Sequence, residues 1–164
     1  HSHYVHCCRC PRRDSSRSTG STTKRPRRDR AFLMSLDPRN LTEEVQSFLR
    51  ERHLASLTLL RPDGSPHVTA VGFTWDEQSQ LVRVITWAGS MKSKILAQTG
   101  PSQAVVCQID GGRWLSLEGT AVVTDDAKRC LEGTDRYAER YRVPQERPDR
   151  TVIEIAVEQI LGYA

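Results

Sequence analysis

The spacing of hydrophobic residues changes several times along the chain and predicts where helices and strands alternate. From Leu41 to Leu49 an apolar residue recurs every three or four positions, which predicts a short amphipathic helix capped by Asn40 or Thr42. Beyond it the period changes to two, which is typical of half-buried strands. Three strands joined by short polar turns are predicted here: His53–Leu60, Pro66–Trp75 and Leu81–Thr86.

The second half of the chain repeats this alternation, with one longer strand. The predicted elements are a helix that begins near Ser90 and is broken at Gln98–Pro101, a strand over Gln103–Ile109, a hairpin turn at Asp110–Gly112, a strand over Arg113–Val123, a helix capped by Asp125, a loop over 142–149 and a final strand over Thr151–Val157. Six strands with short hairpin turns and few helices predict an α+β fold that is mainly β, a small antiparallel barrel.

The charge is distributed unevenly, and this changes its interpretation. The whole chain carries 24 Lys and Arg against 20 Asp and Glu, a net charge of +4. Residues 1–33 hold nine of the basic and two of the acidic side chains, a net +7, which leaves 15 basic and 18 acidic residues and a net −3 for the remainder. The domain itself is therefore mildly acidic, and any nucleic-acid binding by the tail would be electrostatic and non-specific.

Residues 1–35 are predicted to form a disordered basic leader and residues 36–164 a single domain. The leader has almost no large apolar residues, so it cannot offset the entropy cost of ordering. Met34 stands where the domain pattern begins, so an extraneous leader is an alternative to a functional arm. The histidines and cysteines within residues 1–10 have no second ligand pair after a spacer, and we expect no metal site.

Two features of composition bear on the compartment. Cys107 and Cys130 are well separated, as in a reduced, cytoplasmic protein. No apolar run approaches the ~20 residues that a membrane span requires. We therefore expect a cytoplasmic protein without a membrane partner.

The junction between the strand ending at Thr86 and the helix beginning at Ser90 is a candidate anion site. Gly89 permits a tight turn there, and the first N–H groups of the helix have no intrahelical acceptor. Ser90 adds a hydroxyl, Lys92 adds a positive charge and Arg83 lies on the incoming strand. The pattern suits a phosphate, although ordinary helix capping is an alternative explanation.

Several segments in order resemble the pyridoxamine-5′-phosphate-oxidase-like split β-barrel superfamily, and within it the F420-dependent (deazaflavin-dependent) oxidoreductases. They are Glu51–Ala55, Ser65–Phe73, Arg83–Thr86, Gly89–Lys92, Arg113–Gly119, Arg136–Arg142 and Val152–Glu154. The resemblance covers residues 41–164. It implies a homodimer of split barrels with two cofactor clefts at the subunit interface.

The resemblance also implies a set of binding residues. The cofactor phosphate would lie against Arg83, Thr86, Ser90 and Lys92, and the ring system beside Pro66, His67 and Val68, with Trp114 contributed by the partner subunit. FMN-dependent relatives tend to have Arg where this chain has Met91, which favours coenzyme F420 over FMN. His67 and Trp114 are also compatible with structural roles.

The implied reaction is hydride transfer from the reduced deazaflavin to a conjugated acceptor, with biliverdin as a candidate. Arg113, Arg140 and Arg142 would then be substrate-binding residues, since guanidinium groups pair with carboxylates such as the propionates. No acid–base residue stands out, so we assign no catalytic residue. Two alternatives stay open: an FMN-dependent oxidase or reductase of the same superfamily, and a non-catalytic split barrel that holds haem or another tetrapyrrole.

Overall fold

The computed structural model describes residues 35–164, which form three helices and eight strands. The helices are α1 (Glu43–Arg50), α2 (Met91–Thr99) and α3 (Ala127–Arg140). The strands are β1 (Ser35–Leu36), β2 (Ala55–Leu60), β3 (Pro66–Val71), β4 (Thr74–Asp76), β5 (Leu81–Trp87), β6 (Ser102–Asp110), β7 (Arg113–Thr124) and β8 (Arg150–Tyr163).

All strands belong to one antiparallel sheet that is not closed into a full barrel. Its order is β3-β2-β6-β7-β8-β5-β4, and β1 adds to β8. Among the described strands, β3 is bonded only to β2, and β4 is bonded only to residues 81–83 of β5. Beyond that point, residues 84–87 of β5 pair with β8 alone. The sheet therefore has an open seam between β3 and the end of β5.

The core lies against one face of this sheet. Alternate positions of the central strands are fully buried there, among them Leu57, Val106, Leu117 and Ile155. Phe48 and Leu49 of α1 close one end of the core and are also buried. The register of β7 on β8 shifts at Gly119, where a Cβ would lie 1.9 Å from the carbonyl oxygen of Ala156. A residue without a side chain is needed for that close approach.

The predicted fold class is confirmed, with differences in detail. The predicted strand over Pro66–Trp75 is two strands, because the peptide groups around Phe73 bond to α3 instead of a neighbouring strand: its N–H donates to the Tyr141 hydroxyl, and its carbonyl accepts from Arg140. The last strand is longer than predicted and ends at Tyr163. α3 is capped by Asp126, not Asp125, since the Asp126 carboxylate accepts from the N–H of Arg129.

The predicted leader lies almost wholly outside the described residues, and so do its histidines and cysteines. Of residues 35–164, none belongs to a helix long and apolar enough to cross a membrane.

Candidate functional site

A cleft with a volume of about 670 Å³ lies at the open seam of the sheet. Its walls come from the end of β3 with Gly72, the end of β5, Lys92 of α2, Tyr137 of α3 and the loop after α3. Gly72 makes room for α3, since a Cβ there would lie 2.8 Å from Cε2 of Tyr137. Cofactor and substrate clefts of enzymes are commonly of this size.

Basic side chains dominate the cleft. Of the residues in the described range 35–164, its lining includes four basic residues and no Asp or Glu, and the basic ones are Lys92, Arg142, Arg147 and Arg150. Arg147 also has an ion-pair partner beside the cleft, since its guanidinium lies 3.6 Å from the Asp149 carboxylate. Arg150 is held in place by hydrogen bonds to the carbonyls of Thr86 and Gln145. A concave surface with clustered cations focuses a positive potential and attracts anions.

Trp87 lies at the mouth of this cleft between two of the cations. Nζ of Lys92 is 5.2 Å from the centroid of the indole ring, and the guanidinium carbon of Arg147 is 4.6 Å from it. Trp87 is 38% exposed. Cation–π contacts of this kind hold the two charges beside the indole ring.

A chain of four buried hydroxyls stands behind the start of α2. Thr86 donates to Ser90, Ser90 donates to Ser93, and Ser93 lies 3.1 Å from the Thr151 hydroxyl. Ser90 is the N-cap and also accepts from the N–H of Ser93. The hydroxyl of Ser90 is thus used inside the protein, whereas the N–H groups of Met91 and Lys92 open the helix without an intrahelical acceptor.

Lys92 is the half-buried cation of the cleft. Burial lowers the pKa of its ammonium group, because a charge is less stable away from water. Within residues 35–164 no carboxylate lies within 4 Å of it. Burial, with the charges of Arg61 and Lys92, also lowers the pKa of His67 on β3. A bound anion at Lys92 would relieve this accumulation of positive charge.

Comparison with known proteins identifies the family of this chain. A family model described as pyridoxamine 5′-phosphate oxidase matches residues 41–164. The chain belongs to this family. It is 50% identical over 124 residues to an F420H(2)-dependent biliverdin reductase of Mycobacterium tuberculosis, a match that covers 76% of this chain and 89% of the relative.

Solved structures show the same fold at lower identity. A conserved hypothetical protein from Mycobacterium tuberculosis superposes with a TM-score of 0.61 at 21% identity, over 76% of this chain and 85% of the other. A protein described as an F420 reductase superposes with a TM-score of 0.56 at 24% identity, over 73% of this chain and 98% of the other. These likenesses support the split-barrel architecture of the pyridoxamine 5′-phosphate oxidase family.

The structure brings some of the residues predicted from the family resemblance together at the cleft. Thr86, Lys92 and Arg142 line it, and Ser90 lies directly behind Thr86. Pro66, His67 and Val68 lie at the start of β3, and the residues of β3 that line the cleft are Ala70 and Val71 at its end.

Arg83 lies elsewhere, on the opposite face of β5 from Thr86. It is 6% exposed and donates to three carboxylates: Asp76 at 2.8 Å, Glu132 at 3.0 Å and Glu154 at 3.3 Å. Arg129 and Arg136 pair with the same acidic residues. With all its charge compensated inside the protein, Arg83 is not placed to hold a cofactor phosphate.

Arg140 and Arg113 also have internal partners. The Arg140 guanidinium donates to the carbonyls of Glu51 and Phe73 and to Gln108. Arg113 donates to both carboxylate oxygens of Glu51 and to Asp110. Neither lines the cleft. Their predicted role in substrate binding stays a prediction.

Glu51, Asp110 and His53 have ligand atoms within 4.8 Å of one another, an arrangement that could suggest a metal site. The Arg113 guanidinium already supplies the positive charge there. The hydrogen bond from Arg113, which has the larger effect, and the hydrogen bond from His53 lower the pKa of the Glu51 carboxyl group to about 2. This cluster is therefore explained as an ion-pair network.

Trp114 packs edge-on against Tyr163, with ring centroids 6.3 Å apart, on the outward side of the sheet. It is not part of the cleft of its own chain. Trp87, Arg147 and Arg150 line the cleft and were not among the predicted site residues. The arginine-rich segment after α3 is visible in the sequence. Its contact with the cleft could not be predicted, because Arg147 of this segment packs on Trp87, which lies 60 positions earlier in the chain.

Proposed function

We propose that this protein is an F420-dependent reductase, which transfers a hydride from the reduced deazaflavin cofactor to a conjugated acceptor. The proposal is supported by the relative at 50% identity, whose name gives F420H(2) as its reductant and biliverdin as its substrate. The observation in this structure that supports it best is the cleft, whose lining within residues 35–164 has four basic residues and no Asp or Glu.

The residues present suit a cofactor that bears phosphate. A phosphate near the start of α2 would accept hydrogen bonds from the N–H groups of Met91 and Lys92 and would lie at the positive end of the helix dipole. The Lys92 ammonium would add a charge-assisted hydrogen bond. The three arginines at the other side of the cleft are suited to further anionic groups of the cofactor or the substrate.

When bound, the reduced deazaflavin supplies the hydride. The role of the chain is to bind and orient the two reactants. The cations fix the anionic groups, and the side chains of Val71, Val84, Ile85 and Tyr137 line the rest of the cleft and exclude water. Holding two reactants in contact geometry can supply about 7–11 kcal/mol of the barrier reduction.

Biliverdin is our proposed acceptor. Its two propionates would pair with cations, and Arg142 and Arg147 line the cleft. Arg142 is exposed and belongs to the loop that follows α3, so its guanidinium can reach a bound carboxylate. Bidentate pairing of guanidinium with carboxylate would fix the orientation of the tetrapyrrole.

We further propose a homodimer formed through the outer face of the sheet, defined by Leu60, Val68, Val105, Ile109, Trp114 and Tyr163. The strand registers place these residues on one face across five strands, β2, β3, β6, β7 and β8. They form two groups there, Leu60 with Val68 and Val105, and Ile109 with Trp114 and Tyr163. Val68 is 59% exposed and Ile109 61% exposed. Monomeric proteins rarely expose groups of large apolar side chains in this way. A second copy is the favoured occupant because the face continues through Ala70 into the cleft, so that one partner could complete the other's site.

The proposed function is tested by titrating the purified protein with F420 and with FMN, following cofactor fluorescence, and then measuring oxidation of reduced F420 with biliverdin. We expect tight binding of F420, weaker binding of FMN and turnover with biliverdin. Tighter binding of FMN would favour an FMN-dependent enzyme. Binding of haem or biliverdin without consumption of reduced F420 would favour a non-catalytic split barrel.

A further inference from the structure

Arg61 connects the turn between β2 and β3 to a histidine of β3. It is the first residue after β2, and its Nη1 donates to the carbonyl of Pro66 at 2.6 Å and to the hydroxyl of Ser65 at 3.3 Å. Its Nη2 lies 3.3 Å from Nδ1 of His67. One guanidinium group therefore bridges the turn and fixes the imidazole ring.

The contact between Arg61 and His67 decides where the imidazole hydrogen lies. A guanidinium group has five N–H donors and no acceptor, so Nδ1 of His67 must accept and carries no hydrogen. In a neutral imidazole the hydrogen is then on Nε2. Within residues 35–164, Nε2 makes no hydrogen bond and is not enclosed, since the buried side-chain polar atoms without a partner there belong to Thr74 and Trp75. The Nε2–H group is therefore open to a ligand.

His67 lies on the face of β3 that also carries the core. It is opposite Leu59 in the register of β2 and β3, and Leu59 is fully buried. Opposed side chains of an antiparallel pair share a face, and α2 packs against this core with Leu96. Burial, the charge of Arg61 and the charge of Lys92 in the first turn of α2 each lower the pKa of His67, in that order. The imidazole is therefore a neighbour of the anion site at the start of α2.

We propose that Arg61 is a positioning residue that holds His67 as a neutral imidazole with its hydrogen on Nε2, and that this N–H group donates to an anion bound at Lys92. The proposal rests on the proposed function only in taking that anion to be the phosphate of the cofactor. A protonated His67 would place a hydrogen on Nδ1, facing the guanidinium of Arg61. Lys92 thus supplies the charge, and His67 supplies a neutral donor in a fixed position.

The position of the hydrogen is tested in the protein without a ligand. Long-range ¹H–¹⁵N correlation spectra of ¹⁵N-histidine-labelled protein distinguish the ring nitrogen that carries a hydrogen from the one that does not. The chain has five histidines, and the His67 signals are those missing from His67→Gln. At about pH 8, above the ordinary histidine pKa of about 6.5, we expect Nε2–H alone in the wild type and both tautomers in Arg61→Met.

Arg52→Met is the matched control, since Arg52 is exposed ahead of β2, and it should leave the His67 signals unchanged. Titration of the same samples should show a higher His67 pKa in Arg61→Met than in the wild type, by about one pH unit. A hydrogen on Nδ1 in the wild type, or an Arg61→Met protein with the wild-type tautomer and pKa, would overturn the proposal.

The donor role is tested with inorganic phosphate as the probe, followed through the backbone amide signals of Met91 and Lys92. The side-chain amide of glutamine can take the place of Nε2, whereas the shorter asparagine reaches only the place of Nδ1. His67→Gln should therefore bind phosphate within about threefold of the wild type, and His67→Asn about tenfold more weakly.

Equal phosphate affinities of His67→Gln and His67→Asn, or a wild-type protein whose amide signals do not respond to phosphate, would overturn the donor role. F420 is then titrated into the same samples. If phosphate binding follows the expected order and F420 does not bind, the proposed function fails while the roles of Arg61 and His67 at the anion site are supported.

Discussion

The guanidinium carbon of Arg140 lies 4.3 Å from the ring centroid of Phe73, and the same side chain donates to the Phe73 carbonyl at 2.6 Å. Arg140 thus fixes α3 against the point where the predicted strand divides into β3 and β4. Tyr141 acts beside it, since its hydroxyl accepts from the N–H of Phe73 and donates to the carbonyl of His53. These bonds hold the wall of the cleft in position.

Arg140→Ala should lower the free energy of unfolding by about 2–3 kcal/mol, because it leaves the fully buried Gln108 side chain and two carbonyls without a donor. Arg142→Ala, two residues later and exposed, should change it by less than about 0.5 kcal/mol. Urea unfolding of both variants measures this. Equal stability of the two would show that the Arg140 contacts do not hold α3.

Lys92→Ala should weaken F420 binding about tenfold or more, because it removes a charge-assisted hydrogen bond to the proposed phosphate. Lys94→Ala is the control, since Lys94 is exposed on the same helix and does not line the cleft. Fluorescence titration gives both affinities. If the two variants bind F420 equally well, the anion site is not at the start of α2.

Val68→Glu should convert the proposed dimer to a monomer, because it places an unpaired charge in an apolar interface. Leu131→Glu is the matched change, since Leu131 on α3 is 61% exposed but lies outside the outer face of the sheet. The molar mass in solution, measured by light scattering, separates the outcomes. A wild-type protein that is already monomeric, or a Val68→Glu dimer, would contradict the proposed interface.

Gly72→Ala should destabilise the protein by about 1–3 kcal/mol, because the new methyl group would lie 2.8 Å from Tyr137 and 3.3 Å from Tyr141. It should also weaken F420 binding, since Gly72 and Tyr137 both line the cleft. Gly112→Ala in the β6–β7 turn meets nothing within 4 Å and serves as the control. Thermal unfolding midpoints that fall equally in both variants would argue against tight packing at Gly72.

Stability should fall in acid as Asp76 is protonated. Burial alone would raise the pKa of Asp76, but hydrogen bonds from Ser79 and Arg83 and the charge of Arg136 bring that pKa down to about 2. Since the unfolded value is near 3.8, the carboxylate contributes about 2 kcal/mol above pH 4. This contribution is lost as the pH falls from about 4 to 2.

Asp76→Asn removes that dependence, so its deficit relative to the wild type should be largest at neutral pH and shrink toward pH 2. Asp135→Asn, an exposed position on α3, should follow the wild-type profile. Urea midpoints between pH 2 and 7 provide the measurement, and a constant difference across that range would assign the effect to packing rather than to charge.

Local patterns predicted much of the fold. Alternation of apolar residues located β2, β5, β6 and β7, and the serine at the start of α2 is the N-cap that the sequence indicated. These signals depend on neighbours within a few positions, which is why they can be recognised without a structure.

The partners of Arg83 and Arg140 could not be predicted from such local patterns. The carboxylates that surround Arg83 come from positions 76, 132 and 154, and nothing near Arg83 in sequence distinguishes it from a ligand-binding cation. Arg140 likewise bonds to residues more than 30 positions away. Such partners are brought together only by the pairing of distant strands. The sequence therefore shows where a charged residue lies, but it does not show which group that residue pairs with.

The cleft lies where the sheet has an unpaired margin, along β3 and the last residues of β5. The N–H and C=O groups on such a margin belong to the main chain, and amino-acid replacement does not remove them unless proline is introduced. A ring with donors and acceptors along its edge can therefore be held by groups that mutation leaves in place. Replacement of side chains in the cleft would then change which acceptor molecule fits, while the main-chain hydrogen bonds to the ring would be retained.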